Sequence, residues 1–155
     1  MKTKIALGAM AMTVASFASA HVKNPAAEQA GKKIFAAFQH SAFMEYQSLV
    51  PSLPQLMQIM DEHASFYGTN LKDAKQELSK QYDGDVQRIE SSFESAIEQG
   101  NRDHINWSKA IFVSAERENE CLVIEFSVDG KSHKMEIAVT DIAGELRAGK
   151  VITCN

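Results

Sequence analysis

The chain has 155 residues and a formal net charge of −4, from 16 basic and 20 acidic side chains. This length is enough for one domain with its own hydrophobic core. The acidic balance and the lack of any basic cluster argue against nucleic acid, or an anionic membrane surface, as the partner.

Residues 1–20 have the composition of a secretory signal peptide. Lys2 and Lys4 precede the short apolar run IALGAMAMTVASF, and residues 18–20 have the small-x-small pattern that signal peptidase cleaves. The run is shorter than the roughly 20 residues that span a bilayer. We therefore expect cleavage after Ala20, export to a bacterial periplasm or beyond, and no membrane anchor after processing. The mature chain, residues 21–155, keeps 14 basic and 20 acidic residues and a net charge of −6.

The first half of the mature chain, residues 25–99, is predicted to be helical. After Pro25, which suits the first turn of a helix, apolar residues recur at helical spacing as far as Val50, and Pro51 interrupts the run. The sequence at 52–55, Ser-Leu-Pro-Gln, has the form of a capping box and predicts a second helix that stops near Gly68.

The clearest helical pattern covers about residues 70–98. Its apolar residues step by three or four through Asp83-Gly84, which predicts one long helix that the glycine weakens by about 1 kcal/mol. Gly100 is expected to end this helix. Its polar face mixes Lys, Glu, Asp and Gln, which indicates solvated surface rather than a partner site.

Near Trp107 the apolar period changes from 3.6 to 2, which predicts a β-meander over residues 108–154. Its four strands are expected at about 108–117, 121–128, 131–140 and 145–153. Asp129-Gly130 suits a two-residue type I′ turn between the second and third strands, and such a turn fixes the register of a hairpin. The pairs expected across this hairpin are Phe126 with His133, Ile124 with Met135, Leu122 with Ile137, and, on the other side, Glu125 with Lys134.

The predicted fold class is α+β, with N-terminal helices packed on a C-terminal antiparallel sheet of about four strands in a single mature domain. The predicted helices are followed by the segment INWSKAIFVSAERENECLVIEFSVDGKSHKMEIAV and by a short final segment, GKVI. This layout resembles that of small exported bacterial domains with cystatin-like or nuclear-transport-factor-like folds. The resemblance covers most of residues 30–152 and implies helices on a curved sheet. It brings no signature residue of an enzyme, so no active site is carried over.

Cys121 and Cys154 are the two cysteines of the chain. An oxidising compartment favours a disulfide between them. In a plain meander, however, Cys121 begins the second strand and Cys154 ends the fourth, so about eight residues of strand separate them. Two alternatives therefore remain open: a disulfide between the cysteines, or two separate thiols.

His133 is predicted on the apolar side of the hairpin with Phe126 and Met135. If a cavity opens between sheet and helices, these three residues line it; the alternative is a histidine satisfied at the rim of the core. No G-x-S-x-G, Ser-x-x-Lys or glycine-rich phosphate loop is present. The leading hypothesis is a non-enzymatic domain that binds a protein or a small ligand. The alternative is a small-ligand enzyme that uses His133 in a cone-shaped cavity.

Copper binding is a third hypothesis, because a free terminal amine at His21 together with its imidazole can chelate copper. Methionines at helical spacing beside Leu56 and Ile59 are more often core residues than ligands, and no H-x-H or similar pair occurs. We therefore expect neither a metal nor a cofactor. The residues that carry the copper hypothesis beyond His21 are His40 with Met44, and Met57 with Met60 and His63.

Overall fold

The computed structural model describes residues 24–154, so the predicted signal peptide and His21 lie outside the described residues. The four strands form one antiparallel sheet in the order β1-β2-β3-β4. The predicted α+β class, with helices first and a four-stranded sheet after them, is confirmed. In chain order the elements are α1 (Pro25–His40), α2 (Phe43–Gln47), α3 (Leu53–Glu62), α4 (Ala64–Tyr67), α5 (Leu71–Arg102), β1 (Ile111–Glu118), β2 (Cys121–Val128), β3 (Lys131–Ile142) and β4 (Glu145–Cys154).

The prediction that one helical run continues from Pro25 as far as Val50 is wrong. The first helix ends at His40, and Ser41 caps it. Ser41 has a φ of 49°, in the left-handed region, and its backbone N–H donates to the carbonyls of Ala37 and Phe38. This cap ends α1 although no glycine is present. The chain then turns, and α2 brings Tyr46 into the core.

The second helix starts where the capping box predicts. Ser52 Oγ accepts from the Gln55 N–H at 3.4 Å, and Gln55 Oε1 accepts from the Ser52 N–H at 2.9 Å. The helix ends at Glu62, however, and a separate turn of helix, α4, leads to Gly68.

The long helix is confirmed, and it runs a turn beyond its predicted end. At about 1.5 Å per residue, its 32 residues extend about 48 Å. Only Phe93, Ala96 and Gly100 are buried, all near its C-terminal end. That end packs on β4, and the N-terminal half packs on α3 and α4. Gly100 does not end the helix, because it lies inside it and faces the core.

The predicted hairpin register is confirmed pair by pair. Phe126 lies opposite His133, Ile124 opposite Met135, and Leu122 opposite Ile137. On the other face Lys134 Nζ lies 2.6 Å from Glu125 Oε1, and this hydrogen bond and charge lower the pKa of the glutamate. The first strand begins later than predicted, because Trp107–Lys109 form a turn of 3₁₀ helix.

The core lies between α1, α5 and the inner face of the sheet. Trp107 stacks on Phe126 with ring centroids 5.5 Å apart, and Phe38 lies 4.6 Å from Phe93. Gly31 of α1 and Gly100 of α5 have no side chain, which lets these helices approach Ala115 and Trp107 closely. A Cβ on Gly31 would lie 2.2 Å from the Ala115 Cβ, far inside contact distance. Among the described residues, no helix is both long enough and apolar enough to cross a membrane.

The outer edge of β4 is closed by hydrogen bonds from the helical layer. The Ala148 N–H donates to the Leu49 carbonyl at 2.8 Å, and the Tyr46 hydroxyl donates to the Gly149 carbonyl at 2.7 Å. The Val151 N–H donates to Ser92 Oγ at 3.0 Å. The first two bonds tie α2 and the residues after it to this edge strand, and the third ties α5 to it.

Candidate functional site

The predicted binding residues lie together, but two of them are inaccessible. Phe126 and Met135 are 0 % exposed, and neither can touch a soluble ligand in this arrangement. His133 is half-buried, and its ring stacks on Phe126 with centroids 5.4 Å apart and an interplanar angle of 22°. The histidine therefore lies at the rim of the core.

Aromatic rings occupy the space between this part of the sheet and the helices. Phe126 contacts Phe35 at 5.4 Å and Trp107 at 5.5 Å between ring centroids. Trp107 in turn lies 5.3 Å from Phe38. The region in which a cone-shaped cavity was expected is thus packed.

A surface groove of about 580 Å³ lies between α5 and the C-terminal half of β4. We call it the α5–β4 groove. Residues 150–153 form its strand wall, and its helix wall is one stripe of α5. The polar residues of that stripe are Arg88, Ser91, Ser92, Ser95, Gln99 and Arg102.

Helix periodicity separates the charges of this segment. The groove residues recur every three or four positions, so they share one side of the helix. Glu90, Glu94 and Glu98 form a second stripe that is rotated from the first by about 120°, at 3.6 residues per turn, and none of the three lines the groove. The cations of this segment therefore face the groove and its glutamates face away.

The groove is cationic in a protein that is acidic as a whole. Among the described residues, Arg88, Arg102 and Lys150 line it, and no carboxylate of that part of the chain does. Arg88 is already paired, with its Nη1 3.0 Å from Asp85 Oδ1. Arg102 Nη2 donates to Gln99 Oε1 at 2.8 Å, and Lys150 forms no ion pair with any described residue.

Serine hydroxyls line the middle of the groove as hydrogen-bond acceptors. Ser91 Oγ donates its proton to the Gln87 carbonyl at 3.0 Å, and Ser92 Oγ donates to the Ile89 carbonyl at 2.7 Å. Because their protons are engaged, these oxygens present lone pairs outward. Across the groove Ile152 is 49 % exposed and adds an apolar surface.

No pattern in the sequence was interpreted as a binding groove between α5 and β4. Its two walls are about 50 residues apart in the chain, and the polar face of α5 was interpreted as solvated surface. A usable signal was present, because small serines lie between two arginines at helical spacing while the glutamates follow a different stripe. Only the docking of β4 beside that stripe makes it a site.

The sheet register keeps the two cysteines apart. Cys121 lies opposite Ala138 of β3, and Cys154 lies opposite Met135 of the same strand. Two strand spacings and three residues of strand place their Cα atoms about 14 Å apart, whereas a disulfide needs roughly 4.4–6.8 Å. Within the part of the chain whose side chains the structure describes, Cys121 is a free, half-buried thiol. Along the strand direction the two cysteines are offset by three residues rather than the expected eight. The reason is that β4 begins opposite Ile142 of β3, which lies beyond Ala138, the residue opposite the start of β2.

This separation predicts that a reducing agent leaves the melting temperature of the purified monomer unchanged. Under denaturing conditions, thiol alkylation followed by intact mass measurement is expected to find two modified cysteines. A monomer that takes up no alkylating agent until it is reduced, and then melts at a lower temperature, would contradict the register.

The copper hypothesis gains no geometric support within the described residues. There, no three His, Cys, Asp or Glu side chains lie close enough to hold a metal ion. Met60 is only 8 % exposed and belongs to the packed surface of α3, and His40 Nδ1 lies 2.9 Å from Glu45 Oε2.

Comparison with protein-family models, curated proteins and solved structures finds no match. The resemblance to cystatin-like and nuclear-transport-factor-like folds therefore stays a prediction. Function has to be argued from the chemistry of the α5–β4 groove itself.

Proposed function

We propose that the chain is an exported binding protein that holds an anionic ligand in the α5–β4 groove without chemically changing it. The observation that carries this proposal is the charge of the groove. Its lining, as far as the described residues form it, contains three cations and no carboxylate, although the whole chain has a net charge of −4. The signal-peptide pattern of residues 1–20 supports the export part of the proposal.

Arginine is suited to this role. Its planar guanidinium offers paired N–H donors that match the geometry of a carboxylate or a phosphate, and it keeps its charge at any physiological pH. A cleft lined by one sign of charge also raises the local concentration of the opposite ion. Arg88 and Arg102 lie at opposite ends of the helix wall, with Lys150 across from them on β4.

The lining favours binding over catalysis. Its described residues include no histidine, cysteine, aspartate or glutamate, which are the side chains that most often transfer protons or attack substrates. Packing between α5 and β4 and the hydrogen bond from the Val151 N–H to Ser92 Oγ hold the walls in place before any ligand arrives, which reduces the entropy cost of binding.

The test is a titration with three labelled anionic probes: hexaglutamate, a heparin hexasaccharide and tripolyphosphate. We expect at least one probe to bind, and Arg88→Gln/Arg102→Gln/Lys150→Gln to weaken that binding about tenfold or more, since each exposed ion pair contributes about 0.2–1 kcal/mol. Added salt is expected to weaken it further, because the screening length falls to about 8 Å at physiological ionic strength.

The matched control removes the same charge elsewhere. Lys72, Lys80 and Lys131 are exposed and do not line the groove. We expect Lys72→Gln/Lys80→Gln/Lys131→Gln to bind within about twofold of the unmodified protein, a change of less than about 0.5 kcal/mol. Equal losses in the two triple variants, or no binding of any probe, would contradict the proposal.

A further inference from the structure

We propose that the ligand of the α5–β4 groove is an acidic peptide segment of about seven residues, bound in an extended conformation with its carboxylates at the two ends and an uncharged middle. This inference rests on the proposed function, because it specifies the anion that the groove holds.

The length of the groove sets the length of the peptide. Arg88 and Arg102 lie fourteen residues apart on α5, which corresponds to about 21 Å along the helix axis. An extended peptide rises by about 3.3 Å per residue, so about six steps, or seven residues, cover that distance, and the first and seventh side chains then point to the same side. Both arginines line the groove, so carboxylates at the two ends of such a peptide can reach one each.

The serine-lined middle of the groove disfavours an evenly charged polyanion. Between Arg88 and Arg102 the helix wall has no cation. Ser91 and Ser92 have already donated their protons to helix carbonyls, so neither hydroxyl can donate to an anion; Ser91 Oγ keeps both lone pairs, and Ser92 Oγ, which accepts from the Val151 N–H, keeps one. Such oxygens repel the regularly spaced anions of a polyphosphate or a sulfated glycan, whereas they accept from the amide N–H groups of a peptide.

The strand wall shows how the peptide is held. The Val151 N–H already donates to Ser92 Oγ, so at this point the peptide cannot pair with β4 as an added strand. Side chains of the groove therefore make the contacts. Ile152 is 49 % exposed on this wall and offers an apolar surface to a small aliphatic side chain in the middle of the peptide.

The experiment compares two peptides of the same composition by isothermal titration calorimetry at low salt. The first is an acetylated and amidated heptapeptide with Glu at both ends and Ala-Ser-Val-Ser-Ala between them. Its isomer has the same composition with the two Glu residues adjacent near the middle. We expect the first peptide to bind at least about fivefold more tightly. Arg88→Gln and Arg102→Gln are each expected to weaken its binding and to reduce this preference.

A heparin hexasaccharide distinguishes the possible failures. Binding of heparin that is lost in Arg88→Gln/Arg102→Gln/Lys150→Gln, without binding of either peptide, would overturn the peptide assignment and leave the proposed function standing. Failure of all three ligands to bind would overturn both. Equal affinity for the two peptides would overturn the end-to-end arrangement of carboxylates.

A gain-of-charge variant provides an independent check. Ser91→Lys/Ser95→Lys places cations in the middle of the helix wall. It is expected to strengthen several-fold the binding of the heparin hexasaccharide, which carries charge along its whole length, and of the peptide isomer, which carries charge near its middle. The preference for the heptapeptide with terminal Glu is therefore expected to fall. No gain for either ligand would contradict the placement of this stripe in the groove.

Discussion

Gly100→Ala is expected to destabilise the protein by about 1–3 kcal/mol, the range for overpacking a filled core. A Cβ at this position would lie 2.4 Å from Cζ2 of Trp107 and 2.8 Å from its Cε2. Trp107 is 4 % exposed and is held by contacts with Phe38 and Phe126, so the indole cannot move without disturbing the core. The penalty exceeds the gain of up to about 1 kcal/mol that alanine brings to a helix interior.

The same substitution in the same helix supplies the control. The nearest neighbour of a Cβ on Gly84 is Nη2 of Arg88, at 3.9 Å, which is ordinary contact with a flexible side chain. We expect Gly84→Ala to stabilise the protein by about 0.5–1 kcal/mol. Urea unfolding followed by circular dichroism measures both changes. A Gly100→Ala protein as stable as Gly84→Ala would mean that α5 does not dock on Trp107.

Tyr46→Phe is expected to lower the free energy of unfolding by about 1–3 kcal/mol at neutral pH, because it leaves the carbonyl of Gly149 without a donor. Tyr46 is 0 % exposed, and its hydroxyl donates to that carbonyl at 2.7 Å. The hydroxyl fixes α2 to the edge strand, so its loss also loosens the contact between these two elements.

Alkaline pH is expected to reduce the difference in free energy of unfolding between the unmodified protein and Tyr46→Phe. Burial raises the pKa of the Tyr46 phenol well above its ordinary value near 10. Above pH 10 the unfolded chain releases this proton and the folded protein keeps it, so the folded state of the unmodified protein loses stability as pH rises. This loss approaches about 1.4 kcal/mol per pH unit, and Tyr46→Phe does not share it. Urea unfolding of both proteins at pH 7 and pH 11 tests this, and a stability difference that does not change with pH would contradict the buried phenol.

The hairpin was predictable because local signals determine it. Asp129-Gly130 specifies a two-residue turn, that turn fixes the register, and the alternation of apolar residues agrees with the same register. The long helix was predictable for a similar reason, since its apolar residues keep one period across Gly84. Both elements depend on patterns that are contained within about thirty residues.

The breaks in the first helices and the groove depend on tertiary packing instead. Nothing local marks Ser41 as a left-handed cap, and its conformation follows from the need to return α2 and Tyr46 to the core. The glycine at 100 resembles a stop signal in the sequence, but its function is to admit the indole of Trp107. The groove forms only because α5 and β4 lie side by side, and no pattern within either segment predicts this contact.

The groove is built on the part of α5 that the core holds most firmly. Phe93 and Ala96 are buried beneath it, and Ser92 bonds to the strand wall. Its side chains therefore project from a fixed backbone, which is the condition under which a few charged contacts give selective binding.

The most direct test of the proposed function maps binding residue by residue. In ¹H–¹⁵N correlation spectra, titration with the heptapeptide that has Glu at both ends is predicted to shift the amides of residues 88–102 and 150–153. Little change is expected on the open face of the sheet, at Glu116, Glu125 and Lys134. Shifts concentrated on that face or around His133, with the groove amides unmoved, would contradict the assignment of the α5–β4 groove as the binding site.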